Sequence, residues 1–233
     1  MMNICTVIPA RGGSKSIPKK NIQPLNGKPL VYYSIRYSLS CPLVKHTVVS
    51  TDSEEIAAVA RKYKAEVPFM RPPELARDDT QDYSVFKHAL ENLEAFYKEE
   101  IDILVLLRPT SPLRPGGLIE QGVALLERFP EATSLRTVML STEHPYRQWL
   151  IAGDYMSGYE RGVFEPYNIP RQKLPLAYFQ TGDLEIIRRS TILNGSVSGS
   201  RVLPLVIERK DKLDIDSILD LKEANKRIKK AKG

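Results

Sequence analysis

The sequence is poor in the residues that most often announce a reaction on their own. Among 233 residues there are two cysteines, three histidines and one tryptophan. Cys5, in an apolar run, and Cys41, beside a proline, are too few and too dispersed for a disulfide framework or a zinc site, and are expected to serve packing. His46, His88 and His144 lie far apart, so no histidine cluster suggests zinc or catalysis, and His88 reads as a partly buried structural residue. There is no G-x-S-x-G elbow, no Walker A spacing and no G-x-G-x-x-G, which argues against a serine hydrolase and against the two commonest phosphate-loop signatures. No apolar run approaches the roughly 20 residues of a membrane span. The first ten residues lack a basic flank followed by a long apolar region, so they read as a strand and not as a signal peptide, and the expected location is the cytoplasm. Neither an internal repeat nor a low-complexity segment is visible.

The net charge of +6 could suggest a nucleic-acid partner, but Lys226, Arg227, Lys229, Lys230 and Lys232 fall within the last ten residues with no acid among them, and without these five the balance is +1. Such an end reads as a solvated helix terminus whose cations suit the helix dipole, so neither nucleic acid nor membrane is expected as a partner.

What is abundant is alternation. Ile4-Cys5-Thr6-Val7-Ile8 reads as a strand that feeds a long polar loop. Pro29 offers an N1 position to a helix over 30–39, and Thr47-Val48-Val49-Ser50-Thr51 reads as a second buried strand. Asp52 as N-cap, with Glu55 three residues on, predicts a capping box for a helix reaching Tyr63, and Val67-Pro68-Phe69-Met70 ends a short third strand. Apolar residues at Val85, Phe86, Ala89, Leu90, Leu93 and Phe96 predict a helix over 83–97. The almost unbroken apolar run 101–107 predicts a central strand buried on both faces. A helix over 118–129, strands over 132–140, 184–187 and 202–207, and an amphipathic helix from about 217 to 229 follow. This order predicts an α/β fold: a Rossmann-like, doubly wound, mostly parallel sheet with helices on both faces. Residues 141–178 break the pattern with four prolines, several tyrosines and Trp149, and read as an excursion inserted into a core made of 1–140 and 179–233.

Ligands of such sheets lie beyond the C-terminal ends of the strands. There, the loop Arg11-Gly12-Gly13-Ser14-Lys15-Ser16-Ile17-Pro18-Lys19-Lys20-Asn21 gathers four cations, two glycines and two hydroxyls. Glycine allows close backbone approach, while arginine and lysine give forked and point-charge contacts, so the loop suits a polyphosphate. Arg108, Thr110 and Ser111 follow the central strand, where substrate contacts belong. Asp214 and Asp216 alternate around Ile215, so in an extended segment both carboxylates face one way and can share a hard cation; alternatively, Asp216 caps the final helix.

The run Ile8-Pro9-Ala10-Arg11-Gly12-Gly13-Ser14-Lys15 through Lys20-Asn21 resembles the signature of the acylneuraminate cytidylyltransferase family. So, in family order, do Arg71-Pro72-Pro73-Glu74-Leu75-Ala76 followed by Asp78, the run from Leu107-Arg108-Pro109-Thr110-Ser111-Pro112 to Leu113-Arg114, Arg171-Gln172 before Leu174-Pro175, and Asp214-Ile215-Asp216. The resemblance spans almost the whole chain. It implies a magnesium-dependent nucleotidyltransferase that joins CMP from CTP to the anomeric hydroxyl of a nonulosonic-type 2-keto sugar acid and releases pyrophosphate. By the same resemblance Arg11, Gly12, Ser14, Lys15 and Lys20 hold the phosphates, and Asn21, Arg71, Thr80 and Asp82 border the cytidine. Asp214 and Asp216 would be the metal ligands, with Arg11, Lys20 and Asp214 carrying the catalysis. Arg108, Thr110, Ser111, Asp183 and Glu185 would line the sugar pocket. The excursion would be the arm of a homodimer, and Arg171 would reach the partner's active site. Trp149, Tyr146, Tyr155 and Tyr159 fit an interface or a satellite core.

The chain departs from its relatives where they commonly carry glutamine at position 108, a small or hydroxyl residue at 82, and Asn-Gly-Ala-Ile-Tyr in place of Thr181-Gly182-Asp183-Leu184-Glu185. The added charges mean that Arg108 meets either the sugar or Asp183. Rival readings are the same reaction with another keto sugar or nucleotide, a nucleotide- or sugar-binding protein without turnover, and a nucleic-acid binder.

Overall fold

The computed structural model describes residues 2–208 and 213–230. In chain order the elements are β1 (Ile4–Pro9), the two-residue pair β2 (Pro24–Leu25) and β3 (Lys28–Pro29), α1 (Leu30–Leu39), β4 (His46–Ser50), α2 (Glu54–Lys62), α3 (Asp82–Tyr97), β5 (Ile103–Leu106), α4 (Leu118–Arg128), β6 (Ser134–Leu140), β7 (Trp149–Ala152), β8 (Tyr155–Gly158), β9 (Tyr178–Arg188), α5 (Arg189–Leu193), β10 (Val202–Val206) and α6 (Ile218–Lys230). Six strands form one sheet in the order β10-β6-β9-β5-β1-β4. All neighbours are parallel except β9, which runs antiparallel between β5 and β6. The mostly parallel, doubly wound sheet is thus present, with one reversed strand near its centre.

Alternation along β1 decides the two faces. Ile4 and Ile8 pack with Val31 and Ile35 of α1, Ile56 of α2 and Val123 of α4, whereas Cys5 and Val7 pack with Phe86, Leu90 and Leu93 of α3 and Ile192 of α5. Both faces are covered, so the strands can be apolar throughout. Both cysteines are buried, and burial pushes the Cys5 thiol pKa up. A third cluster packs Ala224 and Ile228 of α6 on Leu25 and Leu30, which brings the last helix back beside the first loop.

Three local expectations are corrected. Pro29 is the N-cap of α1 in extended conformation, not its first helical residue. Residues 67–70 form no strand; a single bridge, Val48 to Glu66, precedes them, and Pro68 has no N–H to extend it. Asp52 does not cap α2: Ser53 does, its Oγ accepting from the Ile56 N–H at 3.4 Å. Asp52 is thereby left for another task, described below. On α6, Lys226 and Arg227 lie within the described residues, while Lys232 and the side chains of Lys229 and Lys230 lie outside them.

Residues 141–177 leave the sheet between β6 and β9 and carry the hairpin of β7 and β8. Trp149 stacks on Tyr167 with ring centroids 4.2 Å apart. Much of the rest is bare: Ile151 is 79% exposed, Tyr155 84% and Phe164 90%.

Candidate nucleotide-binding site

Parallel strands β1, β4 and β5 all end at the same edge of the sheet, and the loops that follow them enclose a cleft of about 480 Å³. Arg11, Ser14, Lys15, Lys20 and Asn21 line it from the loop after β1, Arg71, Thr80 and Asp82 from the approach to α3, Arg108 and Thr110 from the loop after β5, and Asp216 from the segment before α6. Residues more than 200 positions apart therefore share one space.

The first loop is held from behind. The Gly12 N–H donates to Asp52 Oδ1 at 2.8 Å, and the Asn21 Nδ2 donates to the Arg11 carbonyl at 2.9 Å. A Cβ on Gly12 would lie 3.0 Å from Ser53 Cβ, so glycine is what lets the loop sit this close to the start of α2. With its backbone fixed, the loop turns its cations forward. Arg11 Nη2 meets Asp78 at 2.7 Å and Lys15 Nζ meets the other oxygen of the same carboxylate. The hydrogen bond from Lys15, then that from Arg11, holds the Asp78 carboxyl below its usual pKa. Asp78 thus bridges two cations of the first loop. Its place in the loop after Arg71 was legible in the sequence, but its pairing with the first loop was not.

Lys20 is more confined, with a side chain 14% exposed, and donates to the Ile215 carbonyl at 3.1 Å and to Asp216 Oδ1 at 3.2 Å. Ile215 is buried and donates its N–H to the Thr110 carbonyl at 2.8 Å, so the 213–216 segment is pinned between two loops. Asp214 and Asp216, on either side of it, are exposed, and both line a recess of about 250 Å³ with Ser111, Gly182 and Asp183. The capping of α6 falls to Ser217 and Asp220, whose side chains bond each other's backbone N–H groups at 2.7 and 3.2 Å. Asp216 is therefore not the helix cap, and its carboxylate faces Lys20.

Arg71 is 5% exposed; its Nε donates to Ser50 Oγ at 3.1 Å and its Nη2 to the Ser50 carbonyl. Burial lowers its pKa to about 10, the nearby Asp52 opposing that shift. Thr80 closes its own loop by donating to the Glu74 carbonyl at 3.3 Å.

At the other end, Arg108 Nη2 donates to Asp82 Oδ2 at 2.6 Å and to Glu185 Oε1 at 3.0 Å, and Arg136 Nη2 lies 3.1 Å from Glu185 Oε2. The anticipated Arg108–Asp183 pair is replaced by this four-membered chain. Burial works against the charge of Arg108, but Asp82 and Glu185 outweigh it and raise its pKa. Glu185, expected at the sugar, is corrected as well: its side chain is 3% exposed with both oxygens taken, so it acts on the cleft through Arg108. Asp183 is likewise buried. Gly182 faces the recess, where a Cβ would come 3.0 Å from Ser111 Oγ, 3.5 Å from Arg108 Cδ and 3.9 Å from Asp214 Oδ2.

One organising residue escaped sequence reasoning. Arg114 donates from Nε to the Asp183 carbonyl at 2.5 Å, from Nη1 to Ser34 Oγ at 3.0 Å and from Nη2 to the Arg108 carbonyl, tying the end of β5 to β9. Burial lowers its pKa to about 10. It stands at the end of the run from Leu107, but its role depends on contacts with distant carbonyls that no local pattern encodes. Arg171 is not in the cleft; it lines a separate cavity in the arm with His144, Arg147 and Leu174.

A basic, glycine-containing loop after the first strand of a Rossmann-like sheet, facing Asp216 across one cleft with Asp214 beside it in a second recess, fits the nucleotidyltransferase class. A family model described as cytidylyltransferase matches residues 5–145, more than half of the chain, and the chain belongs to that family. It is 34% identical over 223 residues to "Post-translational flagellin modification protein B" of Campylobacter coli, covering 94% of this chain and 92% of that protein. It is 35% identical over 221 residues to "CMP-N,N'-diacetyllegionaminic acid synthase" of Campylobacter jejuni, with the same coverage of 94% and 92%. Among solved structures it superposes with a TM-score of 0.73, at 15% identity, on a CMP:2-keto-3-deoxy-manno-octonic acid synthetase complexed with CTP, covering 98% of this chain and 99% of that one.

Proposed function

We propose that this cytidylyltransferase transfers CMP from CTP to the anomeric hydroxyl of a nonulosonic-type 2-keto sugar acid, releasing pyrophosphate, in the cytoplasm where CTP is held. The observation that carries the reading is the convergence of Arg11, Lys15 and Lys20 with Asp216 on one cleft, with Arg108 at its far end. The curated relatives of matching length, one of which is a CMP-diacetyllegionaminic acid synthase, support the choice of acceptor.

Attack by the sugar hydroxyl in line on the α-phosphorus leaves charge on the departing pyrophosphate. Arg11 and Lys15 would exchange Asp78 for the pyrophosphate and neutralise that charge, and Lys20 would hold an oxygen nearer the α-phosphate, a reading supported by their present pairing with carboxylates. Arg71, Thr80 and Asn21 border the nucleoside end, and Thr110, Ser111 and Asp183 the sugar end. Magnesium fits the residues present: Asp214 and Asp216 are oxygen donors, exposed, and flank Ile215, whose backbone is held by Thr110 and Lys20, and such a cation takes its remaining ligands from phosphate and water. When bound it would neutralise phosphate charge and favour the deprotonated sugar hydroxyl.

We further propose that the chain works as a homodimer through residues 141–178, on the strength of the apolar side chains bared there, and that Arg171 serves the partner's cleft. No role is assigned to nucleic acid or membrane; no helix among the described residues is long and apolar enough to cross one.

The test is a pyrophosphate-release assay with CTP and magnesium against sialic, legionaminic, pseudaminic and octulosonic acids. At least one should be turned over, and Lys20→Ala and Asp214→Ala should each lower kcat/KM by a factor of about 100 or more with an unchanged circular-dichroism spectrum. Turnover like wild type in either variant would sink the assignment.

A further inference from the structure

Arg108 is shared by two carboxylates that differ in almost every respect. Glu185 has a side chain 3% exposed, lies on a central strand, and is also held by Arg136 at 3.1 Å. Asp82 is 44% exposed, opens α3, and lines the cleft. The four side chains together carry no net charge, so the sugar-side cation of this cleft is already neutralised. Without Asp82 the remaining three would carry one positive charge, which is what an incoming carboxylate requires.

Asp82 also has somewhere else to go. It is the first residue of a helix 16 residues long, whose N-cap, Gln81, makes no side-chain cap bond, so the N-terminal N–H groups can receive its carboxylate. It lies within the electrostatic reach of Arg71 as well. Glu185 has no such freedom, being enclosed between two arginines.

We infer that Asp82 is an exchangeable counter-ion, a specificity-determining residue that occupies on Arg108 the place taken by the carboxylate of the sugar acid. The inference rests on the reading that Arg108 faces that sugar. An arginine at this cleft needs a partner until substrate arrives, and an exposed acid at the cleft edge supplies it. Substrate binding swaps one carboxylate for another, so part of the intrinsic affinity for the acid is spent on displacement, as for any ligand whose receptor is only fractionally open.

The experiment uses whichever of the four sugar acids is turned over, and its carboxamide. Asp82→Asn should lower KM for the acid about fivefold, the scale of a half-exposed ion pair, while KM for CTP moves less than about twofold. Preference for the acid over the carboxamide should rise by a similar factor. Asp82→Ser, which keeps a good helix-start residue, should behave alike and guards against an effect of the amide itself. In an Arg108→Gln background, which should itself raise KM for the acid, Asp82→Asn should change nothing further. A rise in KM for the acid in both Asp82 variants would mean that Asp82 contacts the sugar directly, and a rise in KM for CTP that it contacts the nucleotide; either overturns the inference alone. If none of the four acids releases pyrophosphate, the proposed function falls and this inference with it.

Discussion

His88 shows what a single half-buried side chain in this fold costs. It stands edge-on to Phe69, ring centroids 5.1 Å apart, and burial first, then the charge of Arg71, keep its pKa below the ordinary histidine value. Above that ordinary value both folded and unfolded chains carry it neutral. As the pH falls below it, the unfolded chain takes up a proton that the folded chain resists, so stability is lost until the folded pKa is passed. Urea melts between about pH 7 and pH 5 should therefore show a smaller loss of stability for His88→Gln than for the wild type; equal slopes would contradict the assignment. His88 was readable as a structural residue, since it lies on an apolar-periodic helix and away from any other histidine. The task of Asp52 was not readable, because a carboxylate two residues before a helix reads as a cap, and only the three-dimensional approach of Gly12 shows what it binds.

Among the elements, the turn leading into β10 is clamped to the residue before β6. Thr133 donates its N–H to the Arg201 carbonyl at 2.8 Å and its Oγ1 to the Ser198 carbonyl at 2.6 Å, while Gly199, at φ +67°, passes so near that a Cβ would lie 2.5 Å from Thr133 Cβ. Left-handed strain and collision add, so Gly199→Ala should destabilise by about 2 kcal/mol or more in denaturant titration, without changing the order of substrate preference. Most strands and helices were readable to within a residue or two from apolar runs and 3.6-residue spacing, but β9 begins six residues before the expected 184, and α5 and the hairpin of β7 and β8 were not foreseen. Strand direction was not readable: Leu184 to Ile187 looks the same read up or down the sheet, and only the pairing of Leu104 with Ile187 and of Leu135 with Ile186 reveals that β9 is reversed. The expected strand at 67–70 failed for the opposite reason, an apolar composition overruled by proline.

At the scale of the molecule, the arm is the part that the monomer leaves unsatisfied. Phe164 and Ile151 touch solvent over most of their surface, so replacing them removes little from the folded monomer. The double variant Ile151→Asp, Phe164→Asp should convert a dimer into a monomer by light scattering, with a melting temperature of the core close to that of the wild-type monomer and with activity reduced through the loss of the partner's Arg171. A wild type that is monomeric at micromolar concentration would refute the dimer proposal.

The base of the arm is narrow. The Ser141 N–H meets the Ala177 carbonyl at 2.9 Å, and Leu140 pairs directly with Tyr178. Structurally, then, β6 and β9 are the legs of one hairpin with an oversized tip, so the length of chain beyond the neck can change while the sheet stays in register. In the proposed dimer, the pairing surface beyond that neck could change widely as long as Arg171 kept its reach to the partner's cleft.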